Sequence, residues 1–499
     1  MPRPLRSALR ALPALAAALI GAPPVAAQQG TAPVPARETP ASRRLAELVT
    51  AINSGDSATV ARFVGAAFVL RPGAGPSTEE RVERLLAMYG RTGGFDIRRV
   101  DSPRAGEASA VVQAKRAEAW RTLLVTVDSA APHRIVRVGV DIARDPASPA
   151  PTRRLTDAEV AAQLRAYVEQ LARRDAFSET VLLAREGKPL YSVAVGEANK
   201  DFGAPNRLAT KFNLGSMNKM FTAVAVAQLA EAGKLSFDDS LGKFLPAGSM
   251  RPEVLEADPG EHLLSHTSGL GSYFTPAWDS ASRTLYRSVD DWMTLVGRDS
   301  LQFEPGTRWA YSNTGMLVLG KVIERASGQD YFAYVREHVY KPAGMTSSDS
   351  YDLDRVNRNL AVGYERRFTP GGEEWSNNVF AHVIRGGPAG GGYSTVEDLT
   401  RFAEALKAGR LVGKRYVELL STAKPELKSD GYGYGFGIDE GGRTFGHNGG
   451  FLGINSDLTI FREGGYTLAV MSNYGGGAQP VVQRARELLL AGRAATAAR

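Results

Sequence analysis

The chain has 499 residues, with 60 Lys and Arg against 53 Asp and Glu and no cysteine. Without a thiol, disulfide frameworks, cysteine nucleophiles and thiolate metal sites are excluded. Basic and acidic residues are mixed without a long run of either sign, which gives nucleic-acid binding no support.

The length allows two or three domains. The first 27 residues read as an export signal. Arg3, Arg6 and Arg10 form a positive lead, Leu12–Ile20 an apolar stretch, and Val25-Ala26-Ala27 a small-residue cleavage site. That stretch is too short to span a bilayer and no later one is long enough, so an exported protein, periplasmic or secreted, with no membrane span is expected. Residues 28–42, rich in Pro, Ala and Gln, read as a disordered lead.

An α+β block is expected over 43–146. Leu45, Leu48, Val49 and Ile52 recur at helical spacing, a second helix is expected near Val60–Phe68, and Ser77-Thr-Glu-Glu80 is a capping box that starts a third. Four strand-like runs follow, at 95–100, 108–115, 120–128 and 135–142. A proline-dense linker is placed at 147–155, then a helix from Thr156 with Val160, Leu164, Val168 and Leu171 inward. Two strands flank Glu186-Gly187-Lys188 as a hairpin. Helical pieces broken by Gly/Pro loops fill 240–430. Strands return at 432–438, 452–461 and 466–471, and a last helix spans 481–490, with a tail at 493–499. Strands at both ends imply one sheet built from both ends of the region, with a helical lobe inserted.

Ser-x-x-Lys occurs three times, from Ser216, Ser240 and Ser421. Ser240 reads as a surface loop. Ser421 lies just before Lys424-Pro425, where proline stops a helix, and that lysine is expected to be solvated. Ser216 instead opens a run to Ala230 that is apolar on every side, hence a buried helix, with Gly233 as its stop. Lys219 is the one charge in that run, and a lone buried ammonium is costly unless it is paired or used. A serine hydroxyl needs an adjacent base to become a nucleophile, and Lys219 at i+3 shares its face. The chain has one Tyr-x-Asn, Tyr311-Ser-Asn313, and one His-x-Gly, His447-Asn-Gly449, both downstream of Ser216. The six histidines show no paired metal-ligand spacing, so neither a metal nor a cofactor is expected.

These elements sit in Phe212-Asn-Leu-Gly-Ser-Met-Asn-Lys219, Leu263-Leu-Ser-His-Thr-Ser-Gly-Leu270, Pro305-Gly-Thr-Arg-Trp-Ala-Tyr-Ser-Asn313, Ala389-Gly-Gly-Gly-Tyr-Ser-Thr395 and Phe445-Gly-His-Asn-Gly-Gly450. Over 156–492 the chain resembles the β-lactamase-related serine hydrolases: class C β-lactamases, serine DD-peptidases and the esterases that share their fold. By element order alone, 43–146 resembles the cone-shaped SnoaL-like fold related to nuclear transport factor 2. The fold class implied is α/β plus α: a β-lactamase-like antiparallel sheet flanked by helices with an inserted helical lobe, preceded by a small α+β cone-like domain.

The resemblance implies catalytic roles for Ser216, Lys219 and Tyr311, with an acyl-enzyme on Ser216 and Tyr311 carrying a proton to the leaving group. Asn313 would orient Lys219 and bond the substrate, alongside His447, Asn448 and Gly450. The amides of Ser216 and Gly450 would form the oxyanion hole. His447 stands where β-lactamases usually carry a fixed positive charge, and histidine is charged only below about pH 6.5. An ester or amide, including a D-amino-acid peptide, is therefore the substrate class implied, and the partner is a small molecule. The alternative is a β-lactamase or cell-wall DD-peptidase. From another class comes a ligand-binding or sensor protein that keeps the fold without turnover. Should His447 bind a carboxylate as imidazolium, KM for anionic substrates rises between about pH 5.5 and 7.5. Ser265 and His266 read as a packed loop, Trp309 as a wall of the site or part of the core, and 386–392 as tight turns around the cleft. Nothing in the pattern sets an oligomeric state.

Overall fold

The structure, a computed structural model, describes residues 38–70, 76–116, 119–143, 151–173, 175, 177–257 and 260–492. The stretch read as an export signal, the lead up to residue 37, the expected linker up to residue 150 and the tail lie outside the described residues. The chain divides into two units: residues 23–152 with 365–376, and residues 153–364 with 377–499. Among the described residues no helix is long and apolar enough to cross a membrane.

In the first unit three helices, α1 (Pro40–Ser54), α2 (Ser57–Ala67) and α3 (Thr78–Thr92), precede four antiparallel strands in sequential order: β1 (Phe95–Arg104), β2 (Glu107–Ala114), β3 (Trp120–Val127) and β4 (Ile135–Ile142). Helix α1 begins inside the stretch read as a disordered lead, because Thr39 and Ser42 form a reciprocal cap there. Ser77 and Glu80 cap α3 as their spacing requires. Alternation in β2 turns Ala108, Ala110, Val112 and Ala114 toward the core face, where Leu45, Leu48 and Ile52 of α1 complete the core.

A hairpin distant in sequence belongs to this unit: β7 (Tyr364–Thr369) with β8 (Gly372–Asn377). Its Phe368 is buried in the same core, with the Arg116 guanidinium 5.7 Å from its ring centroid. Local patterning carried no sign of this, since one buried ring in a polar hairpin has no periodicity to read.

The second unit is built on six antiparallel strands. Its helix α4 (Asp157–Arg173) leads into β5 (Glu179–Arg185) and β6 (Lys188–Val195), joined through Glu186 and Gly187, both at positive φ, as two-residue hairpins with the right twist need. Near the C-terminus come β9 (Gly437–Asp439), β10 (Thr444–Phe451), β11 (Ile454–Phe461) and β12 (Tyr466–Ser472). The order is β9-β10-β11-β12-β5-β6, so β12 pairs with β5 and both ends of the region close one sheet. Of the strand expected over 432–438, only 437–439 joins this sheet, Tyr432 making a single bridge to Gly437, and the glycines of β10, which carries His447, blur any alternating pattern there.

Strands β11 and β12 are buried along their whole length, as strands covered on both faces must be. Val181, Leu183, Leu468 and Val470 pack against α4 and the last helix, α8 (Ala478–Leu490). Leu182, Leu458 and Ala469 face α5 (Asn218–Glu231) and the helical lobe, which includes α6 (Asn313–Ser327) and α7 (Val396–Lys407). Helix α5 is buried on all sides over its first ten residues and ends before Gly233 at φ 68°.

Candidate active site

Ser216 lies in a short 3₁₀ turn, Gly215–Met217, that feeds directly into α5. Its side chain is half-buried while Met217 to Ala227 are covered. The turn is held by main-chain bonds to the 386–392 loop: Leu214 N–H donates to the Gly392 carbonyl at 2.7 Å and Gly391 N–H to the Gly215 carbonyl at 3.1 Å. Gly215 is at φ 50°, and a Cβ on it would come within 2.8 Å of the Gly450 backbone nitrogen. A Cβ on Gly449 would collide with the Leu214 carbonyl oxygen. Glycines at 215 and 449 thus let β10 lie directly against the serine turn, with the Gly450 amide nitrogen beside Gly215.

One turn along α5, Lys219 is fully buried. Its Nζ donates to Asn313 Oδ1 at 2.8 Å and to the Ala389 carbonyl at 2.6 Å. Neither partner is charged. Burial holds this amine well below the ordinary lysine value. A neutral lysine amine has two N–H donors and one lone pair, and the two contacts use both donors. The lone pair is left free to take a proton.

Tyr311 lies just before α6, in extended chain. The intervening Ser312 is the helix N-cap: its Oγ accepts from Gly315 N–H and donates to the Gly271 carbonyl, both at 2.8 Å. The capped turn fixes Tyr311 on one side and Asn313 on the other. Tyr311's ring centroid is 4.8 Å from Lys219 Nζ. Burial raises the phenol above its usual value, the nearby Ser216 hydroxyl pulling the other way. Tyr311 is therefore a neutral hydroxyl in the resting site. One N–H of Asn313 Nδ2 is committed to Ser272 Oγ at 3.1 Å.

His447 bears on a charge state that the sequence left open. It is buried on β10, where its Nδ1–H donates to the Asn448 carbonyl and its Nε2 accepts from the Tyr432 hydroxyl at 2.8 Å. Burial lowers its pKa to about 3. The imidazole is neutral across the range in which an exposed histidine titrates, so it offers no imidazolium to a carboxylate. Asn448 is exposed and points to the opposite face of the strand from His447, which its carbonyl holds at Nδ1.

Lys424 corrects an expectation. It is buried, with its Nζ 4.8 Å from the Tyr434 ring centroid, a cation–π seat in place of solvent. Ser421 is also buried, and Ser240 is exposed. Trp309 is half-buried, 6.4 Å from Tyr311 between ring centroids. Sequence reasoning missed the carbonyl of Ala389, Ser272 and the Tyr432 ring; His266, read as part of a packed loop, is fully buried behind the site. Main-chain acceptors leave no residue-type signal, and the glycine-dense 386–392 stretch was the one trace of the first.

Comparison with known proteins agrees with this geometry. The Beta-lactamase family model matches residues 160–493. A penicillin-binding protein of Bacillus subtilis (strain 168) is 31% identical over 332 residues, covering 62% of this chain and 71% of that protein. Esterase EstB of Burkholderia gladioli is 36% identical over 207 residues, 38% of this chain and 52% of the esterase. Among solved structures, a penicillin-binding protein from Bacillus halodurans is 31% identical with a TM-score of 0.57, covering 64% of this chain and 97% of that one. With a matched region of this extent over the serine turn, the capped Tyr311 and strand β10, the chain belongs to the beta-lactamase family and is a serine hydrolase of it.

Proposed function

We propose that the protein is exported and cleaves an uncharged ester or amide, of the esterase or D-amino-acid peptidase type, through an acyl-enzyme on Ser216. The observation that carries this reading is the buried Lys219 amine held by two neutral acceptors. A lone amine in that setting is a base at neutral pH.

In the first half-reaction the Ser216 hydroxyl proton passes to Lys219 as Oγ bonds to the substrate carbonyl carbon. The carbonyl oxygen takes the negative charge and is met by the amides of Ser216 and Gly450. The bond to the alcohol or amine then breaks. Tyr311 gives its proton to that leaving group and recovers one from the Lys219 ammonium. Water repeats the sequence in reverse and frees the acid. A neutral His447 favours substrates without a carboxylate at that position. The relatives include a named esterase and a D-stereospecific amidohydrolase of Streptomyces, the latter 26% identical with a TM-score of 0.54. Export is supported by the arginine-led apolar N-terminus.

A second reading, hydrolysis of β-lactams or D-alanyl peptides, draws on the relatives named penicillin-binding proteins. A panel of a neutral short-chain ester, a D-amino-acid amide and a cephalosporin separates the two. The proposal expects kcat/KM highest for the ester or the amide and abolished in Ser216→Ala. A cephalosporin hydrolysed faster than both would favour the second reading, and turnover unchanged in Ser216→Ala would refute either.

A further inference from the structure

His266 is fully buried and sits at φ 63°, in the left-handed region. That conformation turns its carbonyl and its ring to the same stretch of chain. The His266 carbonyl accepts from Ala310 N–H at 2.9 Å, and its Nδ1 accepts from Ser312 N–H at 3.2 Å. The amides of Ala310 and Ser312, the residues on either side of Tyr311, are thereby both tied to one residue. The imidazole also packs on the Tyr311 ring, centroids 4.4 Å apart, and on the Tyr432 ring at 4.6 Å. Tyr432 in turn donates to His447. The loop itself is anchored, since Gly306 N–H donates to the Thr267 carbonyl at 2.8 Å and Ser429 Oγ to the Ser265 carbonyl at 3.1 Å.

Accepting at Nδ1 fixes the tautomer, so Nε2 carries the proton, and Nε2 has no partner among the described residues. Packing alone does not account for a buried polar ring with an unmet donor, where an apolar ring would fill the space without that penalty. Only a neutral imidazole can accept from Ser312, and burial keeps it neutral.

We propose that His266 is a positioning residue for Tyr311: it brackets the tyrosine's backbone from both sides and seats its ring, so that the phenol stays in line with Ser216 and Lys219. It touches neither substrate nor reacting atoms. This inference rests on the acyl-serine reading of the site.

Asparagine is the conservative replacement. It tolerates positive φ and its Oδ1 can stand in for Nδ1, whereas glutamine places its polar atoms where Nε2 was. With a neutral nitrophenyl ester, His266→Ala is expected to lower kcat by ~10²-fold, the size of effect that misplacing a reacting group produces, with KM within about twofold. His266→Asn should exceed His266→Gln in kcat by about tenfold or more. In a Tyr311→Phe background, His266→Ala should add less than about threefold, because groups that act as a unit do not add. Equal kcat for the Asn and Gln variants would overturn the proposal, and this comparison stands even if the alanine variant fails to fold. So would a full loss repeated on top of Tyr311→Phe, which marks a general structural role. Wild type and Ser216→Ala run alongside. Absent acylation of wild type strikes the acyl-serine reading, whereas normal acylation with unaltered His266 variants strikes this inference alone.

Discussion

Lys219 Nζ donates to Asn313 Oδ1 at 2.8 Å, a buried amine bonded to a residue isosteric with aspartate but carrying no charge. The difference between the two side chains decides the chemistry. A carboxylate at that distance would stabilise the ammonium and hold the proton on Lys219, while the amide leaves burial to depress the amine.

Asn313→Asp is therefore expected to disable the base without removing it. At pH 7, kcat/KM for a neutral ester should fall by ~10²–10⁴-fold, the usual scale of general-base loss. The acidic limb of the pH–rate profile should move to higher pH, because a raised lysine pKa keeps the base protonated over more of the range. An unmoved limb in a folded variant would contradict the role given to Lys219.

His447 should not act as a pH-dependent anion site. With its pKa lowered to about 3 by burial, it does not change charge between pH 5 and 8. Profiles of KM for an anionic and a neutral substrate should run parallel over that interval. A KM that rises several-fold for the anionic substrate alone would restore a charged His447 as an anion site.

Gly449→Ala should be inactive. The added methyl would meet the Leu214 carbonyl and push β10 away from the serine turn, separating the two amides assigned to the oxyanion. Loss of one such donor lowers kcat by ~10²–10³-fold. Circular dichroism and kcat together test this: native-like spectra with wild-type kcat would show that β10 need not approach so closely.

Glu179, at the start of β5, is fully buried beside Ser472, and burial raises its carboxyl well above the ordinary value. The folded state thus holds this proton more tightly than the unfolded chain. Its stabilising effect is complete below the unfolded value of ~4.3 and is lost as pH rises through the raised folded value. Glu179→Gln should leave Tm nearly unchanged at pH 4 and raise it by about 2–4 °C at pH 8. Equal Tm differences at both pH values would show that Glu179 does not titrate in the native state.

Much of this was legible in the residues. Sheet closure from both ends followed from apolar runs at 180–195 and 452–471, and the odd charge of Lys219 in an apolar helix marked the centre of the site. Two kinds of feature were not legible. One is main-chain chemistry, as at Ala389 and the 215/449 contact, where function resides in atoms every residue has. The other is tertiary burial: His447 was weighed with the titration of an exposed histidine and Lys424 as a solvated lysine, and both are buried. Phe368 belongs with these, since its core is assembled from chain more than two hundred residues away.

The central claim is an acyl-enzyme on Ser216 formed with Lys219 as base. Intact-mass measurement of the purified protein after rapid mixing with an activated short-chain ester tests it most directly, with peptide mapping of any adduct. A mass increase of one acyl group on Ser216 is expected in wild type, slowed in Asn313→Asp and absent in Ser216→Ala. Ester turnover in wild type with no adduct at Ser216, or with the adduct elsewhere, would contradict it.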